Sequence, residues 1–137
     1  MQNPEIEADK QETTFILVTS KLTDGQINEI KNKVLGCGLE ITAEALIELN
    51  PKKIQLIWPE IIQQSTKELT FRILSNRPLP LMTISGKAAI SKISILKKEM
   101  RKLYLKTDDG FNRIMHSPDN ESGVERELSV FYTKLST

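Results

Sequence analysis

The chain has 137 residues, with 19 Lys and Arg against 18 Asp and Glu, a formal net charge of +1, one histidine and one cysteine. This length suits one domain with its own hydrophobic core, and the near-neutral balance excludes an overall field that would steer nucleic acid or an anionic membrane. A lone Cys37 excludes an internal disulfide framework and a Cys-based structural zinc, which points to a reducing, cytoplasmic setting. No run approaches the roughly 20 apolar residues of a membrane helix, and the start has no signal-peptide core.

In chain order, residues 1–12 carry Pro4 and several acids without apolar periodicity, and are expected to form a disordered tail or linker, the domain running from 13 to 137. Thr14-Phe15-Ile16-Leu17-Val18-Thr19 is an apolar, β-branched run that predicts a strand buried on both faces. Thr23 or Asp24 caps a helix carrying Ile27, Ile30, Val34 and Leu35 on one face, with Gly36 and Gly38 as its stop. A second strand is expected over 39–46. Asn50-Pro51 starts a helix with Ile54, Ile57 and Trp58 on its apolar face. Pro59 kinks or ends it, and Ser65-Thr66-Lys67-Glu68 has the form of a capping box for a second short helix, giving a helical hairpin.

A third strand is expected over 79–85, with Pro78 and Pro80 limiting its ladder near the start and Gly86 ending it. Residues 88–105 place Ile90, Ile93, Leu96, Met100 and Leu103 at helical spacing with lysines between, an amphipathic helix stopped by the loop 107–110. Arg113-Ile114-Met115 reads as an edge strand entering a loop at His116-Ser117-Pro118-Asp119. Asn120 or Ser122 then caps a last helix with Val124, Leu128, Phe131 and Leu135 on one face. The order β-α-β-α-α-β-α-β-α predicts an α+β fold of the ferredoxin-like class, a four-stranded antiparallel sheet covered by helices.

His116 is the sharpest chemical candidate, because imidazole titrates near neutrality and serves as nucleophile or proton carrier. Its surroundings add weight. The stretch from Arg113 to Asn120, followed by Glu125-Arg126-Glu127-Leu128 and Phe131-Tyr132, resembles the signature of the nucleoside diphosphate kinase family, with His116, Asp119 and Glu127 at matching spacings. The resemblance runs from Thr14 to about Tyr132. It implies that His116 is the phosphorylated residue and that Glu127 holds its second ring nitrogen, fixing the tautomer. It further implies Arg101 as a phosphate-binding arginine, Trp58 in the place of a tyrosine near the histidine, and Mg²⁺ arriving with a nucleoside di- or triphosphate rather than at a protein-built metal site. The alternatives are an exposed helix acid for Glu127 and a core aromatic for Trp58.

The departures from that family fall on the pocket. Its strand lysine aligns with Thr19, Lys21 being the nearby substitute, and the asparagine three residues before the histidine is Arg113, with Asn112 beside it. Gly-Ser after the histidine has become Ser117-Pro118, the second phosphate arginine aligns near Ile93, and the base-stacking phenylalanine aligns near Thr66. Lys21, Lys92, Lys97, Lys98 and Arg113 could rebuild a basic pocket; for Lys97, Lys98 and Lys102 a solvated helix face is the expectation on composition. Nothing interleaves aromatic and basic residues in the manner of a single-strand binder, so nucleic acid is not the expected partner.

Two functions follow from the resemblance. The first is a divergent, weak or inactive domain used for binding or assembly, as degenerate copies of this fold are in multidomain and ciliary proteins. The second is a working kinase cycling through phospho-His116. Homo-oligomers are implied by the family's habit of assembling through this fold.

Overall fold

The structure is a computed structural model in which residues 10–105, 107, 111 and 113–132 are described. Expectations for the tail before Lys10, the loop 108–110, Asn112 and Leu135 lie outside those residues. Among these residues there are four strands, β1 (Gln11–Val18), β2 (Glu40–Ile47), β3 (Leu79–Lys87) and β4 (Met115–His116). Five helices join them: α1 (Asp24–Gly36), α2 (Pro51–Ile57), α3 (Lys67–Leu74), α4 (Ala89–Leu103) and α5 (Glu121–Tyr132). A 3₁₀ turn, Pro59–Gln63, links α2 to α3.

The sheet has the order β2-β3-β1-β4 with every neighbouring pair antiparallel. This is the predicted split βαβ, ferredoxin-like α+β arrangement. β1 lies between β3 and β4, and helices pack on both faces of the sheet, so the run from Phe15 to Val18 is apolar without alternation. Phe15 and Leu17 meet Ile54, Ile57, Trp58, Leu81 and Phe131 on one face, under α2, α3 and α5. Ile16 and Val18 meet Ile30, Val34, Met82, Ile93 and Met100 on the other, under α1 and α4.

Several local expectations hold for the predicted physical reason. Thr23 caps α1 and forms a reciprocal box with Gln26, Thr23 Oγ1 accepting from Gln26 N at 3.1 Å and Gln26 Oε1 accepting from Thr23 N at 2.8 Å. Asn50 caps α2 by accepting from Lys53 N at 2.9 Å. Pro59 ends α2 and keeps Trp58 out of the helical region at φ −126, ψ 75. The β1–β3 ladder begins at Leu17 and Leu81, just past Pro80.

Other expectations are corrected. β1 starts at Gln11, so Gln11 and Glu12 belong to the sheet and not to a tail, and Glu12 Oε1 accepts from Ile90 N at the start of α4. Leu35 is 54% exposed, turned off the apolar face of α1. The Ser65 box does not form; α3 begins after Thr66, whose side chain makes no capping bond. Gly86 does not end β3 but pairs with Glu12 inside it, where the close approach of Leu39 favours glycine: an added Cβ would stand 2.6 Å from Leu39 Cδ2. α4 stops at Leu103, and Leu103 itself is exposed. Of the two caps expected for α5, Asn120 is the one that forms, accepting from Gly123 N at 2.7 Å.

Candidate functional site

β4 is two residues later than the sequence suggests, and the cause is local. Ile114 has φ 64, a left-handed conformation that β-branched residues rarely adopt. Met115 N donates back to Arg113 O at 2.6 Å, closing a γ-turn around Ile114. The chain leaves that turn as β4, pairing Met115 with Val18 and His116 with Leu17. Because side chains alternate along a strand, Met115 enters the core under α1 and α4 while His116 takes the opposite face.

On that face His116 meets three elements. Its Nε2 is hydrogen-bonded to Oε1 of Glu127, a buried carboxylate on α5. Trp58, delivered by the break at Pro59, packs edge-on to the imidazole with ring centroids 4.9 Å apart. Phe15 of β1 closes a third side at 5.9 Å. With a carboxylate on Nε2, the neutral ring carries its proton there and keeps the lone pair on Nδ1, which makes no hydrogen bond among the described residues. The arrangement therefore supplies an oriented nitrogen nucleophile or proton acceptor.

His116, Glu127 and Trp58 line one cleft of about 430 Å³, together with Lys97, Ser117, Pro118, Asp119 and Arg126. The other sequence candidates stand elsewhere. Arg101 and Arg113 face an adjoining cavity of about 550 Å³ with Lys102 and Leu105. Arg113 connects the two, its guanidinium 5.8 Å from the centroid of the Trp58 ring. Arg101 donates through Nε to Arg113 O at 2.9 Å and through Nη2 to Met115 O at 3.0 Å. Lys21 is exposed in the β1–α1 connection and is not a lining residue of the His116 cleft.

Lys97 is the residue that composition misplaced. It is 7% exposed, not solvated, and its Nζ donates to Ser117 O at 2.8 Å with Asp119 Oδ1 at 3.5 Å. The signal was in the spacing: Ile90, Ile93, Lys97 and Met100 follow a 3-4-3 rhythm, so Lys97 sits on the buried stripe of α4. Burial is the main cause holding its ammonium below the usual lysine value, with Asp119 opposing. Burial, then the nearby charge of Arg113, lowers Arg101 in the same way. Asp119 is held below the ordinary carboxylate range, first by the Ser94 hydroxyl donating at 2.8 Å and also by Lys97, against its own desolvation.

The departures noted in the sequence have definite places. Thr19 and Ser117 are fully buried and their hydroxyls have no partner among the described residues. Ile93 lies in the core between α4 and the sheet. Among the described residues no group of three or more His, Cys, Asp or Glu could hold a metal ion, and no helix is long and apolar enough to cross a membrane.

No family model and no curated protein matches the sequence. Solved structures do match. The nucleoside diphosphate kinase of Aquifex aeolicus superposes with a TM-score of 0.69 at 20% identity, over 90% of this chain and 96% of that one. The Borrelia burgdorferi nucleoside-diphosphate kinase with bound vanadate and ADP gives 0.63 at 13% identity, over 90% and 88%. At such identities the likeness is one of fold, and the fold of this chain is that of the nucleoside diphosphate kinases.

Proposed function

We propose that the chain is a divergent nucleoside diphosphate kinase-like domain, weak or inactive in phosphotransfer, whose work is binding or assembly. The observation that carries this reading is the bonding of the cations near His116. Arg101 is committed to two backbone carbonyls, Lys97 to Ser117 O and Asp119, and Arg126 to Leu56 O at 2.9 Å and to Glu127. Phosphoryl transfer depends on positive charge aimed at the phosphate oxygens, each such contact being worth about 2.7–4 kcal/mol where one has been removed from an enzyme. Here the charge of these three is directed at the chain's own carbonyls and carboxylates. Thr19 and Ile93 bring no charge where the family resemblance would place a lysine and an arginine, and Pro118 removes a backbone donor.

The ligand for this site, by the same resemblance, is a nucleoside di- or triphosphate. Its Mg²⁺ would arrive with the nucleotide, held by the nucleotide phosphates. Assembly would take the form of a homo-oligomer or of partners in a larger protein.

A second reading, an active kinase, is favoured by one specific feature, the His116–Glu127 pair with Nδ1 unbonded. In that cycle Nδ1 attacks the γ-phosphorus, the bond from phosphorus to the β-phosphate oxygen breaks, and the nucleoside diphosphate leaves. Glu127 keeps the Nε2 proton and supports the charge on the ring; a second diphosphate then takes the phosphoryl group back from Nδ1. The deciding experiment is incubation with Mg²⁺ and γ-labelled ATP, wild type beside His116→Ala. Little or no acid-labile label is expected; label that is lost in the variant and passes to added GDP at a rate typical of kinases would overturn the first reading in favour of the second.

A further inference from the structure

β4 is an edge strand, and its two sides are treated differently. On the β1 side, Ile114 O accepts from Thr19 N at 3.0 Å and Ser20 N at 3.3 Å, and the β1 ladder continues through Met115 and His116. Carbonyls alternate along extended chain, so those of Met115 and Ser117 leave on the other side, where the sheet has no further strand among the described residues, and the turn at Ile114 leaves the Arg113 carbonyl within reach of the same helix. Two side chains of α4 take the place of that strand. Arg101 reaches the carbonyls of Arg113 and Met115, and Lys97, one turn earlier, reaches that of Ser117. The spacings agree: four residues of helix rise about 6 Å, close to the roughly 6.7 Å repeat of every second carbonyl in a strand.

What these bonds hold is strained. Ile114 is β-branched, fully buried and left-handed, and a conformation of that kind persists only where its surroundings over-determine it. The bonds of Arg101 fall on the carbonyls immediately before and after Ile114. His116 follows two residues later, and its ring must stay in register with Glu127 on a different helix. Stability is a weak reason for two buried cations, because desolvating a charge is costly and even a complete buried ion pair is often replaced by apolar residues of similar volume without loss. Both also suffer lowered pKa values through burial.

We propose that Lys97 and Arg101 are positioning residues, a clamp on the carbonyls of Arg113, Met115 and Ser117 that maintains the turn at Ile114 and keeps the His116 ring on Glu127. Its bearing on phosphotransfer rests on the reading of His116 as acceptor; the clamp itself does not. Ser94 extends the same grip by donating to Asp119 from one turn before Lys97.

His116 is the only histidine, so ¹⁵N-histidine labelling gives one ring to observe by NMR. In wild type the Nε2–H proton is expected as a single line protected from exchange with water. In Lys97→Met and Arg101→Met that exchange is expected to become about tenfold faster or more through local opening, with far-UV circular dichroism unchanged. Lys97→Met puts an apolar side chain on a stripe already holding Ile93 and Met100, so it should fold; if it does not, Arg101→Met carries the test alone. Unchanged exchange in the folded variants, or an unprotected ring in wild type, overturns the clamp. A protected ring that loosens in the variants, in a protein that takes no label from ATP, upholds the clamp while removing the phosphoacceptor reading. Label on His116 with unchanged exchange in the variants removes the clamp alone.

Discussion

At the scale of single residues, His116 and Glu127 form a pair whose geometry matters more than its composition. Glu127 is buried, accepts a hydrogen bond from the ring Nε2 and also lies 3.5 Å from Arg126 Nη2, so its carboxylate has both oxygens engaged. Glu127→Gln keeps the shape but weakens the acceptor; any acid-labile label that forms on His116 is expected to form about 10–100-fold more slowly, read by single-turnover labelling. Lys97 gives a prediction in pH. Its folded pKa lies below the usual 10.5, so between the two values the unfolded chain binds more protons and this group's contribution to stability rises with pH. Below the folded value both states are protonated and the cost of the buried charge is fully present. Urea unfolding of wild type and Lys97→Met at about pH 7 and about pH 10 should therefore show the difference shifting toward wild type at the higher pH. A constant difference would mean that the ammonium is not burdened by burial.

At the scale of elements, caps and breaks decide where the site residues stand. The α1 box at Thr23 is formed on both sides, so Thr23→Ala is expected to cost about 1 kcal/mol in urea unfolding. Ser65 resembles a box in sequence but makes none, and Ser65→Ala should change stability by less than about 0.5 kcal/mol. The contrast tests a structural distinction that the two similar motifs do not reveal. Pro59 has a larger consequence: by ending α2 it turns Trp58 out of the helix and against His116. Trp58 is also buried among Phe15, Ile57 and Phe131 in the core, so Trp58→Ala is expected to cost about 3–5 kcal/mol in the same assay, well beyond the loss of one ring contact.

At the scale of the whole molecule, the sheet order leaves β2 as the outer strand opposite β4, and Leu46 on it is 70% exposed. An exposed apolar edge invites pairing with another chain. Under the assembly reading, sedimentation should give a mass above that of one chain, and Leu46→Lys should lower it; a wild-type monomer would count against self-assembly. The sequence by itself determined the central runs of β1, β2 and β3, the two short helices after Asn50 and the α+β architecture, because burial and turn chemistry leave their marks within a few neighbouring residues, as in the Phe15–Val18 run and the Asn50-Pro51 start. His116 and Glu127 were marked by the resemblance of their stretch to a known signature, and the structure does bring the two side chains together. Only the tertiary structure decided what Lys97 and Arg101 hold, because their partners are carbonyls, which carry no signature in the sequence. Those carbonyls lie 12 to 20 residues away along the chain, and they face α4 only once β4 has taken the sheet edge and Ile114 its left-handed turn.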